Sequence, residues 1–166
     1  MSPGLFQRRC CRLFRLLTDG LGTVVVVPVI LIVRLLRPFI QIRFGYFTAD
    51  RIGHFSFDVE YYLTEKHLTQ YKKPSIDLFF FSGKPANTYF AQMCRRSVVV
   101  HSTIKWLYSA NEILPFGSNH RVLPARVTSD SRDLKGLFSR TGPQLQFSRQ
   151  ENQSGLKFLE NVGLCQ

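Results

Sequence analysis

The stretch "IDLFFF" at 76–81 constrains the fold most. It reads as a continuous apolar run of strand length, between Pro74 and Gly83. Side chains along a strand alternate between two faces, so such a run presents apolar groups on both and needs a covering layer on each. The neighbouring segments supply those layers. "QIRFGYF" at 41–47 reads as a strand, and 48–50 as a turn with Asp50 as helix cap. Ile52, Phe55, Val59, Tyr62 and Leu63 then recur at helical spacing, predicting a helix over 51–69. A loop at "YKKPS" precedes the apolar strand, and the turn at 82–85 leads to a second helix over 86–96. "SVVVH" at 97–101 is a third strand, and 102–114 a third helix stopped by Pro115 and Gly117. Strand and helix alternating at this spacing predict an α/β fold, a Rossmann-like parallel sheet with crossover helices. Beyond Gly117 periodicity fades until 148–162, where Ser148 and Glu151 form a capping-box pattern and Gly163 ends a final helix.

The 166 residues are 45% apolar and 20% charged, a globular composition. The net charge of +11 is uneven: residues 1–51 carry eight arginines, no lysine and two aspartates. Within them "LFQRRCCRLFRLL" (5–17) is followed by the uncharged "TVVVVPVILIV" (23–33). Eleven helical residues rise only about 16 Å, against roughly 30 Å of hydrocarbon, and Pro28 is expected to kink them. Arginines on both flanks give no orientation by the positive-inside rule, and no small-residue cleavage site follows the run. Three readings stay open for this apolar N-terminal helix: an in-plane or re-entrant anchor on anionic lipid, a short strained transmembrane helix, or an element of the core. The expected division is a basic, apolar membrane-associating segment over 1–40 and a Rossmann-like domain over 41–166. No RNP-like, zinc-finger or helix-turn-helix pattern supports nucleic-acid binding, and none is expected.

Four cysteines (Cys10, Cys11, Cys94, Cys165) and four histidines (His54, His67, His101, His120) show no metal-ligand spacing, so no metal and no cofactor are expected. The thiols read as reduced, with Cys10 and Cys11 placed where acylation beside a membrane anchor is chemically open.

The first strand–helix turn is the candidate site. Ligands of open α/β sheets sit at the carboxyl ends of strands, near helix N-termini whose first amides have no intrahelical partner and favour anions. There Gly53 would let a ligand approach the backbone, Arg51 would grip a phosphate, and His54 is the candidate general base for an acceptor hydroxyl. Each has a plainer alternative. Gly53 would ease helix packing, Arg51 would pair with Asp50, Asp58 or Glu60, His54 would be a surface histidine, Asp50 a cap and Glu60 solvated. The dinucleotide, Walker and nucleophile-elbow patterns are absent.

"IRFGYFTADRIGHFSFDVEYYLTE" (42–65) resembles the N-terminal signature of a family of bacterial GT-B-like glycosyltransferases, carried by Arg51, Ile52, Gly53, His54, Glu60, Tyr62 and Leu63. Asn87, Met93 and Arg96 in "ANTYFAQMCRR", and Asn111, Leu114, Pro115, Gly117 and His120 in "YSANEILPFGSNH", extend it. The chain departs at Asp58, where the family has Asn, and at Cys94, where it has an aromatic. The resemblance implies the N-terminal, acceptor-side half of a GT-B architecture, truncated and inactive alone. Its implied partners are a lipid-linked or sugar acceptor, a nucleotide-sugar held by the other half, and an anionic membrane surface. Its implied place is the cytoplasmic face of the bacterial inner membrane, in polysaccharide synthesis. Asp50, Arg51, Gly53, Glu60 and Asn87 become substrate-binding candidates, with His54 as base.

Overall fold

A computed structural model describes residues 22, 25–69, 73–129 and 132–164. The arginines of 5–17, with Cys10, Cys11 and Cys165, lie outside the described residues. The elements are α1 (Val27–Leu35), β1 (Gln41–Thr48), α2 (Ile52–Leu68), β2 (Ser75–Ser82), α3 (Thr88–Ser97), β3 (Val99–Val100) and α4 (Ile104–Ile113). A 3-10 turn (Gly117–His120), β4 (Arg121–Val122), α5 (Ala125–Ser129), a second 3-10 turn (Phe138–Arg140) and α6 (Arg149–Asn161) follow.

The sheet is parallel throughout, with four strands in the order β3-β2-β1-β4. The chain steps outward from β1 to β3, then crosses back through α4 to lay β4 on the other side of β1. This is the Rossmann-like, doubly wound α/β arrangement that the alternation predicts, and it puts a reversal of strand order between β1 and β4. The sequence gives little warning of β4: two residues bond to Phe44 and Gly45, too short a run for any period. Gly45 is needed there, because a Cβ on it would stand 2.6 Å from the Phe79 ring and 3.0 Å from the Val122 carbonyl.

Both faces of the sheet are covered. On one, Phe47, Phe79, Phe55, Val59, Tyr62, Ala91 and Cys94 pack beneath α2 and α3, with Phe47 and Phe79 stacked at 4.4 Å. On the other, Phe44 packs with Ile30 and Val33 of α1 and with Ile104 and Ala110 of α4. Part of the apolar N-terminal run is therefore a helix lying on the sheet. Pro28 stands in the first turn of α1, where its missing N–H has no partner to lose. Arg34 turns its guanidinium to the Leu114 carbonyl at 3.3 Å, at the end of α4. Among the described residues nothing covers the opposite side of α1: Val29, Ile32 and Leu35 are exposed, as is Phe39 just beyond the helix. No helix among the described residues is long and apolar enough to cross a membrane.

Two further expectations shift. The cap of α2 is Arg51, in extended conformation, with no side-chain cap bond, so Asp50 is not the helix cap. Asp77 breaks the apolar run at 76–81 and is buried. The capping box of α6 is present in full: the Ser148 hydroxyl accepts from the Glu151 amide, and the Glu151 carboxylate from the Ser148 amide.

Candidate functional site

The β1–α2 turn opens at the carboxyl end of β1, beside the strand-order reversal. Backbone bonds bind it to the β2–α3 loop: the Ala49 amide donates to Ser82 at 3.2 Å, and the Ala86 amide donates to Ala49 at 2.7 Å. Asp50 sits against Gly83, whose φ of +90° makes the sharp turn after β2. Asn87, on the same rim, caps α3 by accepting the Phe90 amide at 2.9 Å. Asp50, Arg51, Gly53 and Asn87 are all exposed there, and His54 is half-buried.

Arg51, Gly53 and His54, with Phe57, line an open recess of 400 Å³. A Cβ built on Gly53 meets nothing within 4 Å, so packing does not demand glycine at this position. The bare backbone faces open space at the start of a helix that no side chain caps. A cation, an imidazole and the positive end of a helix dipole thus share one wall, which favours an anionic group.

Glu60 is engaged elsewhere. Its carboxylate accepts the backbone amides of Gln144 and, at 3.1 Å, Leu145, clipping the irregular segment after the second 3-10 turn onto α2. The structure therefore groups Asp50, Arg51, Gly53, His54 and Asn87 at one rim and leaves Glu60 partway down the helix.

The residues at 108–120 that carry part of the resemblance form a buried latch on the rim opposite the turn. The Asn111 amide donates to the Gly117 carbonyl at 2.9 Å. A Cβ on Gly117 would stand 2.1 Å from the Asn111 carbonyl oxygen, so only glycine fits. His120, 2% exposed, holds Nδ1 2.6 Å from the Ile42 carbonyl. That oxygen can only accept, so Nδ1 carries the proton. These residues lock the α4–β4 connection to the start of β1.

Sequence reasoning also passes over a charged network under α2. The Asp77 carboxylate accepts Arg43 Nε at 2.6 Å, Arg43 Nη2 at 2.9 Å and the Tyr62 hydroxyl at 2.6 Å, and Lys66 Nζ lies 3.2 Å away. Burial works to raise this carboxyl. The hydrogen bonds from Arg43 and Tyr62 and the charges of Arg43 and Lys66 outweigh it, holding the group below the ordinary carboxylate range. The available signal was one opposite charge in each of two otherwise apolar strands, at positions that pair in register.

Among the described residues no cluster of three or more His, Cys, Asp or Glu is placed to hold a metal ion. Comparison of the chain with family models, with curated proteins and with solved structures finds no match.

Proposed function

We propose that this chain is the acceptor-binding half of a membrane-associated GT-B-type glycosyltransferase that transfers a sugar from a nucleotide-sugar to a cell-surface polysaccharide or lipid-linked acceptor. The observation that carries the reading is the position of the Arg51–Gly53–His54 recess. It lies at the carboxyl end of β1, beside the reversal between β1 and β4, where open α/β sheets bind ligands. In this reading the Arg51 guanidinium and the first amides of α2 hold an anionic group of the acceptor. His54 takes the proton from the attacking hydroxyl as the new glycosidic bond forms and the nucleoside diphosphate leaves. That diphosphate is bound by a second Rossmann-like unit, so turnover depends on that unit.

The bare outer side of α1, with Arg37 exposed beside it, supports attachment to an anionic membrane, at the cytoplasmic face of the bacterial inner membrane. The same surface favours one other reading, a membrane-bound binding module with no chemistry of its own.

Binding of a lipid-linked sugar acceptor to the wild type, Arg51→Ala and His54→Ala separates the two. Loss of one charge-assisted contact is worth about tenfold in affinity, and the reading expects at least that from Arg51→Ala. With a second Rossmann-like unit supplied, His54→Ala should abolish sugar transfer while still binding acceptor. Unchanged acceptor affinity in both variants removes the recess from the mechanism.

A further inference from the structure

Phe116 is the only non-glycine among the described residues with a positive φ, 63°, in the left-handed region. A bulky side chain is strained there, and glycine would take the same backbone without that cost. The strain is imposed by the neighbours. The Leu114 carbonyl at the end of α4 accepts from Arg34, and Gly117 is pressed against Asn111, so Pro115 and Phe116 must make the turn between them. Packing does not explain the choice of phenylalanine, because the residue is 78% exposed. A strained residue that adds nothing to the core points to a role outside the molecule.

Its surroundings say what that role meets. Phe116 stands just before β4 and Ile113 ends α4, so both lie at the amino end of the parallel sheet. The segment joining α1 to β1 lies at the same end and is tied to them twice: Arg34 donates to Leu114, and the Gln41 side chain donates to the Asn119 carbonyl. That segment carries Leu35 and Phe39, as exposed as Phe116 and Ile113. An exposed apolar surface of this kind marks a contact. Its charge is one-sided: residues 33–41 and 113–119 contain Arg34 and Arg37 and no carboxylate. Lys73 is exposed beside Pro74, whose carbonyl accepts the Gln41 amide. The adjoining Glu112 is paired with Arg121 at 2.8 Å. Apolar side chains among cations, with no unpaired acid beside them, match an anionic lipid interface, where rings sink towards the acyl chains while Arg and Lys reach the phosphates.

We propose that this corner is where the protein enters an anionic bilayer, with the Phe116 ring inserted beside Phe39 and Leu35, and Arg37 and Lys73 on head-group phosphates. The proposal rests on the membrane attachment read from α1 and extends it to a second element, the α4–β4 connection. The Arg51–His54 recess, at the carboxyl end of β1, is left free.

Sedimentation of the full chain with phosphatidylglycerol vesicles tests it, with phosphatidylcholine vesicles as the neutral arm. Preference for the anionic vesicles is expected. Phe116→Gly should weaken vesicle binding about tenfold, the loss of one inserted ring. It should leave the melting temperature at or above that of wild type, since glycine fits this backbone. Phe158→Ser, which alters an exposed phenylalanine on α6, should leave binding unchanged. Arg37→Gln and Lys73→Gln should weaken binding to the anionic vesicles alone. Binding that is lost in Ile32→Ser but undiminished in Phe116→Gly would overturn the proposal and leave attachment through α1 standing. No vesicle binding by the wild type would overturn both. A dimer of the full chain that Phe116→Gly dissociates, without vesicle binding, would assign the corner to a second copy instead.

Discussion

Arg43 and Asp77 face each other across two parallel strands, joined by two hydrogen bonds of 2.6 and 2.9 Å, with the carboxylate side chain wholly buried. The pair stands directly across the β1–β2 ladder, so it fixes the register of these strands as well as closing the underside of α2. A one-residue slip would turn Asp77 into the apolar layer of the other face.

Asp77→Asn should therefore destabilise the fold by about 3 kcal/mol, because it leaves the Arg43 cation without its counter-charge in a largely buried place. The pH dependence has a definite sign. The folded-state pKa of Asp77 lies below its unfolded value, so its contribution is complete above the unfolded carboxylate range. It is lost as pH falls through that range towards the folded value. Urea melts of wild type and variant should differ most near neutrality and converge in acid. A constant difference down to strongly acidic pH would speak against the assignment.

Gly117→Ala should cost about 3 kcal/mol, since the new methyl meets the Asn111 backbone oxygen, which has little room to move. Gly53→Ala, with open space around it, should cost about 1 kcal/mol or less. Thermal unfolding of the two variants side by side reads the contrast between a glycine that packing demands and one that it does not.

Burial pushes the Cys94 thiol up to about 12, only partly offset by the nearby Arg95 charge. At pH 8 the thiolate is scarce and shielded, so iodoacetamide should leave Cys94 unmodified in the native protein and modify it once urea unfolds the chain. Peptide mass mapping of residue 94 makes the measurement. Rapid native alkylation would mean that the α2–α3 layer opens far more freely than its packing implies.

Leu35→Ser and Phe39→Ser remove apolar groups that are each 77% exposed, so they should leave the melting temperature close to that of wild type. Both should reduce sedimentation with anionic phospholipid vesicles if the outer side of α1 meets a membrane. Ile30→Ala, on the buried side, should instead lower stability by about 2–4 kcal/mol. Vesicle binding unaffected by the two serine variants would argue against membrane attachment through this side of α1.

Ser148→Ala should cost the last helix about 1 kcal/mol by removing the hydroxyl that accepts the Glu151 amide. No residue of α6 is buried, so the loss should stay local. Hydrogen exchange should accelerate in the first turn of α6 and remain unchanged in β1 and β2.

The burial of β2 is full on one face only, at Asp77 and Phe79, with Leu78 and Phe80 half-buried and Ile76 exposed on the other. The sequence by itself determined the alternation of strand and helix and the capping box of α6. Each of these rests on neighbours within a few residues, where spacing along the chain already states which side chains share a face. It also marked the β1–α2 turn. Only the tertiary structure decided the rest. The sheet order, with β4 beside β1, depends on two residues whose partners lie some 77 positions earlier. Gly53 faces open space while Gly117 is pressed against Asn111, although both are single glycines in the sequence. Glu60 left the turn for the Gln144 and Leu145 amides, and Asp77 found Arg43 on β1 and Tyr62 and Lys66 on α2. Such partners are chosen by distance in the folded molecule, because hydrogen bonds and ion pairs act over a few ångströms and local periodicity carries no information about them.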